Sequence, residues 1–97
     1  MFKNDFIIIS LNVESLNAKI DKLRELLAIF EDRNIFISAI ALQETWLSEK
    51  SDLTGLYIAN FHEPINQGYV CGRKGGLVTY INSKYKQPVK RKKLIQT

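Results

Sequence analysis

With one cysteine, Cys71, the chain can close no internal disulfide and cannot build a cysteine-based zinc site. A lone thiol suits a reducing intracellular compartment, the nucleus included. Histidine is as scarce. His62 is the only one, lies beside Glu63 and Pro64, and reads as a solvent-exposed turn residue. No serine has an evident partner base, so a Ser-His-acid triad is unsupported. No apolar run approaches the roughly 20 residues of a membrane-crossing helix, so no membrane role is expected. Asp5 precedes an apolar run too short for the core of a signal peptide. Aspartate is missing altogether after Asp52.

What remains is the composition of a soluble globular domain, 45% hydrophobic and 25% charged, in a chain of 97 residues that can form one domain. The net charge of +4 is uneven. Lys84 to Thr97 carries six basic residues and no acidic one, which leaves the first 83 residues at −2. Overall isoelectric point is therefore a poor guide to partners.

The organising stretch is Ile35 to Gln43-Glu44-Thr45-Trp46-Leu47. Its apolar part, Ile35 to Leu42, is interrupted only by Ser38 and reads as a strand buried on both faces. It stops abruptly on polar side chains, and ligands of open α/β sheets bind beyond the carboxyl ends of strands. Ahead of it, Phe6 to Leu11 is a short β-branched run that reads as a buried strand ending at Asn12. Leu16, Ile20, Leu23, Leu27 and Phe30 recur at steps of four and three, which predicts a helix from about Ser15 to Glu31 with Ser15 or Asn17 as its cap. Strand, helix and strand in that order imply a right-handed crossover between parallel neighbours, and hence Asn12 and Glu44 on one edge of the sheet.

Beyond Leu47, Leu56 to Phe61 could form a third strand, and His62 to Lys74 reads as a long loop rich in turn formers. Gly75-Gly76 opens a strand over Leu77 to Ile81, and Gln87 to Ile95 could form a further, basic strand.

A carboxylate and an amide oxygen at one strand edge suit magnesium, which takes few protein ligands and keeps several waters. Glu44 is otherwise simply the first exposed residue after a core strand. Gly72-Arg73-Lys74-Gly75-Gly76 could cradle phosphate, although it lacks the spacing of a nucleotide-binding loop. Lys90-Arg91-Lys92-Lys93 suits either a nucleic-acid backbone or a charged edge strand that resists self-pairing. Trp46 reads as a lid over the helix more readily than as an exposed stacking group.

Leu11-Asn12, then Ser15-Leu16 opening an amphipathic helix, then Leu42-Gln43-Glu44-Thr45-Trp46-Leu47, then Gly75-Gly76 leading into Val78-Thr79-Tyr80-Ile81, resembles the endonuclease/exonuclease/phosphatase superfamily. The Gln-Glu-Thr-Trp-Leu block and the Arg-Lys-Gly-Gly strand look most like the endonuclease domain of non-LTR retrotransposons. The resemblance implies a four-layer α/β sandwich, of which this chain would be the N-terminal portion, with one main helix on a mixed sheet. It also implies phosphodiester cleavage of DNA with Mg2+ or Mn2+. On that pattern Glu44 binds the metal, Asn12 organises the metal and the phosphate, and Glu14 is a lesser metal ligand. Arg73, Lys74, Lys90, Arg91, Lys92 and Lys93 are the expected nucleic-acid contacts. The Asp-x-Asn and Ser-Asp-His motifs that serve the attacking water have no counterpart here, and Leu77 replaces a third glycine. The expectation is an inactive N-terminal part of a partial domain. The alternatives are a non-catalytic protein that binds nucleic acid through its basic end and an inert α/β fragment. Phe6, Ile8, Ile37, Ile40, Leu42, Val78 and Tyr80 are expected on a sheet with one covering helix and a bare opposite face, through which copies could associate.

Overall fold

The computed structural model describes residues 6–68 and 75–86. Strand β1 (Ile8–Asn12) leads into helix α1 (Leu16–Asp32), which returns the chain to β2 (Ala39–Gln43). β1 and β2 pair in parallel, with Asn12 opposite Gln43. A single 3-10 turn, Thr54–Leu56, precedes the short β3 (Ile65–Gln67), and β4 (Leu77–Ile81) enters antiparallel between β2 and β3. The sheet order is β1-β2-β4-β3, a mixed sheet with β2 and β4 at its centre.

Local chemistry sets the ends of α1. The Ser15 hydroxyl accepts from the Ala18 N–H at 3.4 Å, so Ser15 rather than Asn17 is the cap. At the far end Asn34 adopts a left-handed φ of 61°. Asn34 N–H then reaches the Glu31 carbonyl and Ile35 N–H the Phe30 carbonyl, at 3.0 and 2.9 Å. This pattern closes a helix on one left-handed residue, and asparagine tolerates that conformation better than most.

Leu16, Ile20 and Leu23 of α1 pack with Ile40, Leu42, Val78 and Tyr80 of the central strands in one buried cluster. Leu27 and Phe30 border it. Tyr80 is fully buried, stands edge-on to Phe61, and donates its hydroxyl to the Leu56 carbonyl at 2.7 Å. Burial pushes its pKa up to about 12, against a smaller opposing effect of the Arg24 charge. The folded state therefore holds this proton more tightly than the unfolded chain, where tyrosine titrates near about 10. The contribution is complete below about pH 10 and fades as pH rises toward about 12. Urea midpoints measured between about pH 9 and 11.5 should fall for the wild type more steeply than for Tyr80→Phe.

The strands alternate, and this divides the residues expected on one sheet. Ile40, Leu42, Val78 and Tyr80 lie under α1, whereas Ile8, Ser10, Asn12, Ala41, Gln43, Leu77 and Thr79 belong to the other face. No described helix or strand packs over that second face, where Ile8 and Leu77 are 53% and 46% exposed. It is more polar than expected, with alanine, serine and threonine along its middle.

Three expectations are corrected. The second strand starts at Ala39, not Ile35: Ile35 is tied to the helix end, Phe36 is exposed, and buried Ser38 accepts the Ile7 N–H on its hydroxyl. Leu56 to Phe61 is no strand, because a 3-10 turn and a left-handed Asn60 interrupt it, although Leu56 and Ile58 still point into the core. The third strand falls at Ile65–Gln67, inside the stretch read as a loop. The expected basic strand over Gln87 to Ile95 lies outside the described residues.

Candidate metal-binding edge

Both parallel strands end at the same side of the sheet, and the chain leaves each in an unusual conformation. After Asn12, Glu14 and Ser15 take φ values of 45° and 90°; after Gln43, Glu44 and Trp46 take 56° and 62°. Four non-glycine residues with positive φ in two adjacent turns are uncommon, and such strain persists where surrounding structure over-determines it.

The over-determination is visible in the backbone. Val13 N–H donates to the Gln43 carbonyl, Ser15 N–H to Glu44 and Leu16 N–H to Thr45, each at 3.0 Å. On the other side Thr45 N–H donates to Gly76 at 3.3 Å and Trp46 N–H to Gly75 at 2.8 Å. The turn carrying Glu44 is thus laced to the start of α1 and to the start of β4 at once. Thr45 is buried at the centre, and its hydroxyl accepts from Leu47 N–H at 3.4 Å. Gly76 has φ 91°, and a β-carbon there would stand 2.6 Å from the Thr45 hydroxyl and 3.0 Å from the Leu47 carbonyl. Any other residue there would be strained at that φ and would force Thr45 or Leu47 to shift.

Asn12 and Glu44 therefore share one edge, as the strand-helix-strand order predicts. Glu14 joins them, because the Ser15 to Glu44 hydrogen bond sets the two turns side by side. Glu44 is half-buried, Asn12 and Glu14 are exposed, and among the described residues no side chain donates to the Asn12 amide or to either carboxylate. Gln43 differs from its neighbour: its amide donates to the Ser10 hydroxyl at 3.0 Å and to the Ala41 carbonyl. It braces β2 against β1. Among the described residues no three His, Cys, Asp or Glu side chains form a metal-holding group. A carboxylate, a second carboxylate and an amide oxygen are nevertheless hard donors of the kind Mg2+ or Mn2+ accepts while keeping most of its waters.

Of the remaining sequence-predicted residues, His62 is not brought here. His62 sits at the opposite end of the sheet, where its N–H meets the Ile81 carbonyl and its Nε2 lies 2.6 Å from the Tyr85 carbonyl. It is half-buried and bonded, not a free turn residue. Trp46 is 37% exposed at the rim of the edge. Arg73, Lys74, Lys90, Arg91, Lys92 and Lys93 lie outside the described residues. A cavity of about 490 Å³ is also at the far end, between Phe36, Phe61, Asn82 and the end of α1, with Glu31 as its one carboxylate.

In structure the chain is similar to the AP endonuclease LMAP from Leishmania major, with a TM-score of 0.61 and 22% identity over 80% of this chain. It is similar also to the catalytic domain of APE2 from Xenopus laevis, with a TM-score of 0.56 and 22% identity over 78% of this chain. The fold, one helix on a mixed sheet, matches that of these two AP endonucleases. The matches take in 24% and 23% of those two chains, so this chain spans about a quarter of the neighbours' length. No protein-family model matches the chain, and no curated protein matches it. Within this fold the residues of the motif order fall on one place: Asn12, Glu44 and Gly75-Gly76 all meet at the laced edge. No described helix is long and apolar enough to cross a membrane.

Thr45 is the residue whose importance the sequence conceals. It reads there as one of three polar residues ending a strand, whereas its carbonyl, N–H and hydroxyl hold the edge together. The signal available was its adjacency to Gly75-Gly76 in the motif order, which hints at a close approach without naming the partner.

Proposed function

We propose that this chain is the N-terminal part of a divalent-metal-dependent phosphodiesterase of the retrotransposon endonuclease type, acting on DNA. One observation carries the reading: Asn12 and Glu44 come to a single sheet edge in a superfamily fold whose solved neighbours are AP endonucleases. Glu44 would hold Mg2+ or Mn2+, with Glu14 adding charge and Asn12 orienting a phosphate oxygen beside it. A divalent ion bound there supplies polarisation of a phosphoryl oxygen and stabilisation of the leaving oxygen. The basic residues Arg73, Lys74 and Lys90 to Lys93 would add sequence-independent attraction to the DNA backbone, weakened by salt.

The polypeptide 1–97 by itself is proposed to be inactive. Its sole histidine is at the wrong end of the sheet, and general acid–base assistance is typically worth about a hundred- to ten-thousandfold. Purified 1–97 should bind Mn2+ weakly, as followed by loss of the free-ion signal in electron paramagnetic resonance, and Glu44→Gln should remove that binding. Supercoiled plasmid should stay intact with Mg2+. Mn2+ binding that is unchanged in Glu44→Gln, or nicking that survives purification and vanishes in Glu44→Ala, would each defeat a part of the proposal.

A further inference from the structure

The far end of the sheet gathers three aromatic rings. Phe6 and Phe36 both stand edge-on to Tyr85, with ring centroids 5.5 and 6.3 Å apart. Phe6 and Phe36 are also 57% and 42% exposed. Apolar surface of this kind, rimmed by polar groups, marks a contact site. Here the rim is cationic. Lys84 Nζ lies 5.1 Å from the centre of the Phe36 ring, and Lys86, next in sequence to Tyr85, is exposed. From Ser83 to Thr97 the chain holds six basic residues and no acidic one.

Phe36 and Lys84 also line the cavity of about 490 Å³, whose walls are pinned by hydrogen bonds. Buried Asn82 donates from its amide to the Ile37 carbonyl and accepts the Lys84 N–H on its oxygen, each at 2.9 Å. The Ser83 N–H and hydroxyl both donate to the Asn60 carbonyl, at 2.9 and 3.0 Å. Asn34 and Asn60 line the cavity as well. Both are exposed, and among the described residues neither side-chain amide has a hydrogen-bond partner. A preformed cavity of this size, apolar on Leu27 and Phe36 and carrying unspent amides, suits a flat ring with polar edges.

We propose that this end of the chain binds single-stranded nucleic acid, with one base in the cavity against Phe36, its neighbour on the Phe6–Tyr85 pair, and the backbone on Lys84 and Lys86. Every base has a face that stacks on an aromatic ring, and a cationic track follows the phosphates. The amides of Asn34 and Asn60 can pair with base edges, and Glu31 on the helical wall can accept a base N–H. A lipid surface would match the rings and the lysines but would set those amides against acyl chains, which is costly. A duplex keeps its bases stacked on one another and offers this site only its backbone. The inference does not rest on the metal edge, which lies at the opposite end of the sheet.

The probe is a fluorescein-labelled oligodeoxythymidine of about ten nucleotides, within the range such sites cover. It is titrated with the whole 1–97 chain in EDTA and followed by anisotropy. Phe36→Ala should weaken binding about 5- to 150-fold, the worth of one base stacked on an aromatic ring, and Phe36→Trp should retain it. Lys84→Gln should lower the slope of log affinity against log salt by about 0.7, as for one phosphate of a single strand. On addition of the oligonucleotide the side-chain amide resonances of Asn34 and Asn60 should shift while that of Asn12 stays. Annealed to oligodeoxyadenosine, the probe should bind more weakly by about tenfold or more, since its bases are no longer free to stack. Affinity unchanged in Phe36→Ala would leave the basic residues after Lys86 as the whole of the binding and overturn the proposal. So would equal affinity for the duplex, unmoved Asn34 and Asn60 amides, or binding to phosphatidylserine vesicles in place of the oligonucleotide.

Discussion

Tyr80→Ala is expected to abolish the cooperative unfolding transition of the chain. Tyr80 fills the middle of β4, with no exposed surface, and packs between the helix-facing residues of β2 and the Phe61 ring. Truncating a buried aromatic side chain typically costs about 3–5 kcal/mol. The change also orphans the Leu56 carbonyl that the hydroxyl now satisfies, adding about 1–3 kcal/mol where that group stays buried. Against a total of roughly 5–15 kcal/mol for an ordinary domain, and a sheet whose second face no described element covers, little remains. Far-UV circular dichroism on heating should show a broad, shallow decline in place of a sigmoid. Tyr80→Phe separates the terms, since it keeps the ring and should cost only about 0.5–1.5 kcal/mol as a lower urea midpoint. Equal losses in the two variants would mean that the ring's packing has been overrated.

The second large effect concerns the laced edge. Gly76→Ala must place a β-carbon in a backbone region that disfavours it, at about 1–2 kcal/mol, and press it against Thr45 and Leu47. Forcing an extra carbon into a packed site costs about 1–3 kcal/mol more. The expected loss is therefore about 2–5 kcal/mol. Because the carbonyls of Gly75 and Gly76 also hold the N–H groups of Trp46 and Thr45, the turn carrying Glu44 should shift with it, and Mn2+ affinity should fall alongside stability. Gly55→Ala is the control: a β-carbon there meets nothing within 4 Å. Urea titration of the three proteins decides the matter, and comparable midpoints for Gly76→Ala and Gly55→Ala would show that the close approach is relaxed in solution.

Periodicity made the parts with long apolar patterns legible. α1 was readable because Leu16, Ile20 and Leu23 recur as one stripe, and β1 and β4 because β-branched runs end at Asn12 and begin at a glycine pair. From these alone the parallel pairing of β1 and β2 follows, and with it the shared edge of Asn12 and Glu44. What could not be read was conformation decided by single hydrogen bonds. Ile35 and Phe36 look like strand residues, and only the helix-end closure at Asn34 shows that they are not. Leu56 and Ile58 look like a strand because both are buried, yet burial at alternate positions does not require a paired backbone. β3 is three residues long and follows a proline, which is below what any pattern can signal. The site was legible as a motif order, but its cause was not. That Thr45 is the point where α1, β2 and β4 are tied together emerges only when all three are brought side by side.

The most direct test of the account is where a divalent ion resides. Mn2+ added to 15N-labelled 1–97 broadens amide resonances near its site. Residues 12–15, 44–46 and 75–76 should fade first, at sub-stoichiometric ion, while Ile37, His62 and Asn82 at the far end of the sheet keep their intensity. Broadening that begins at the far end, or spreads evenly over the chain, would contradict the assignment of this edge as the metal-binding part of the fold.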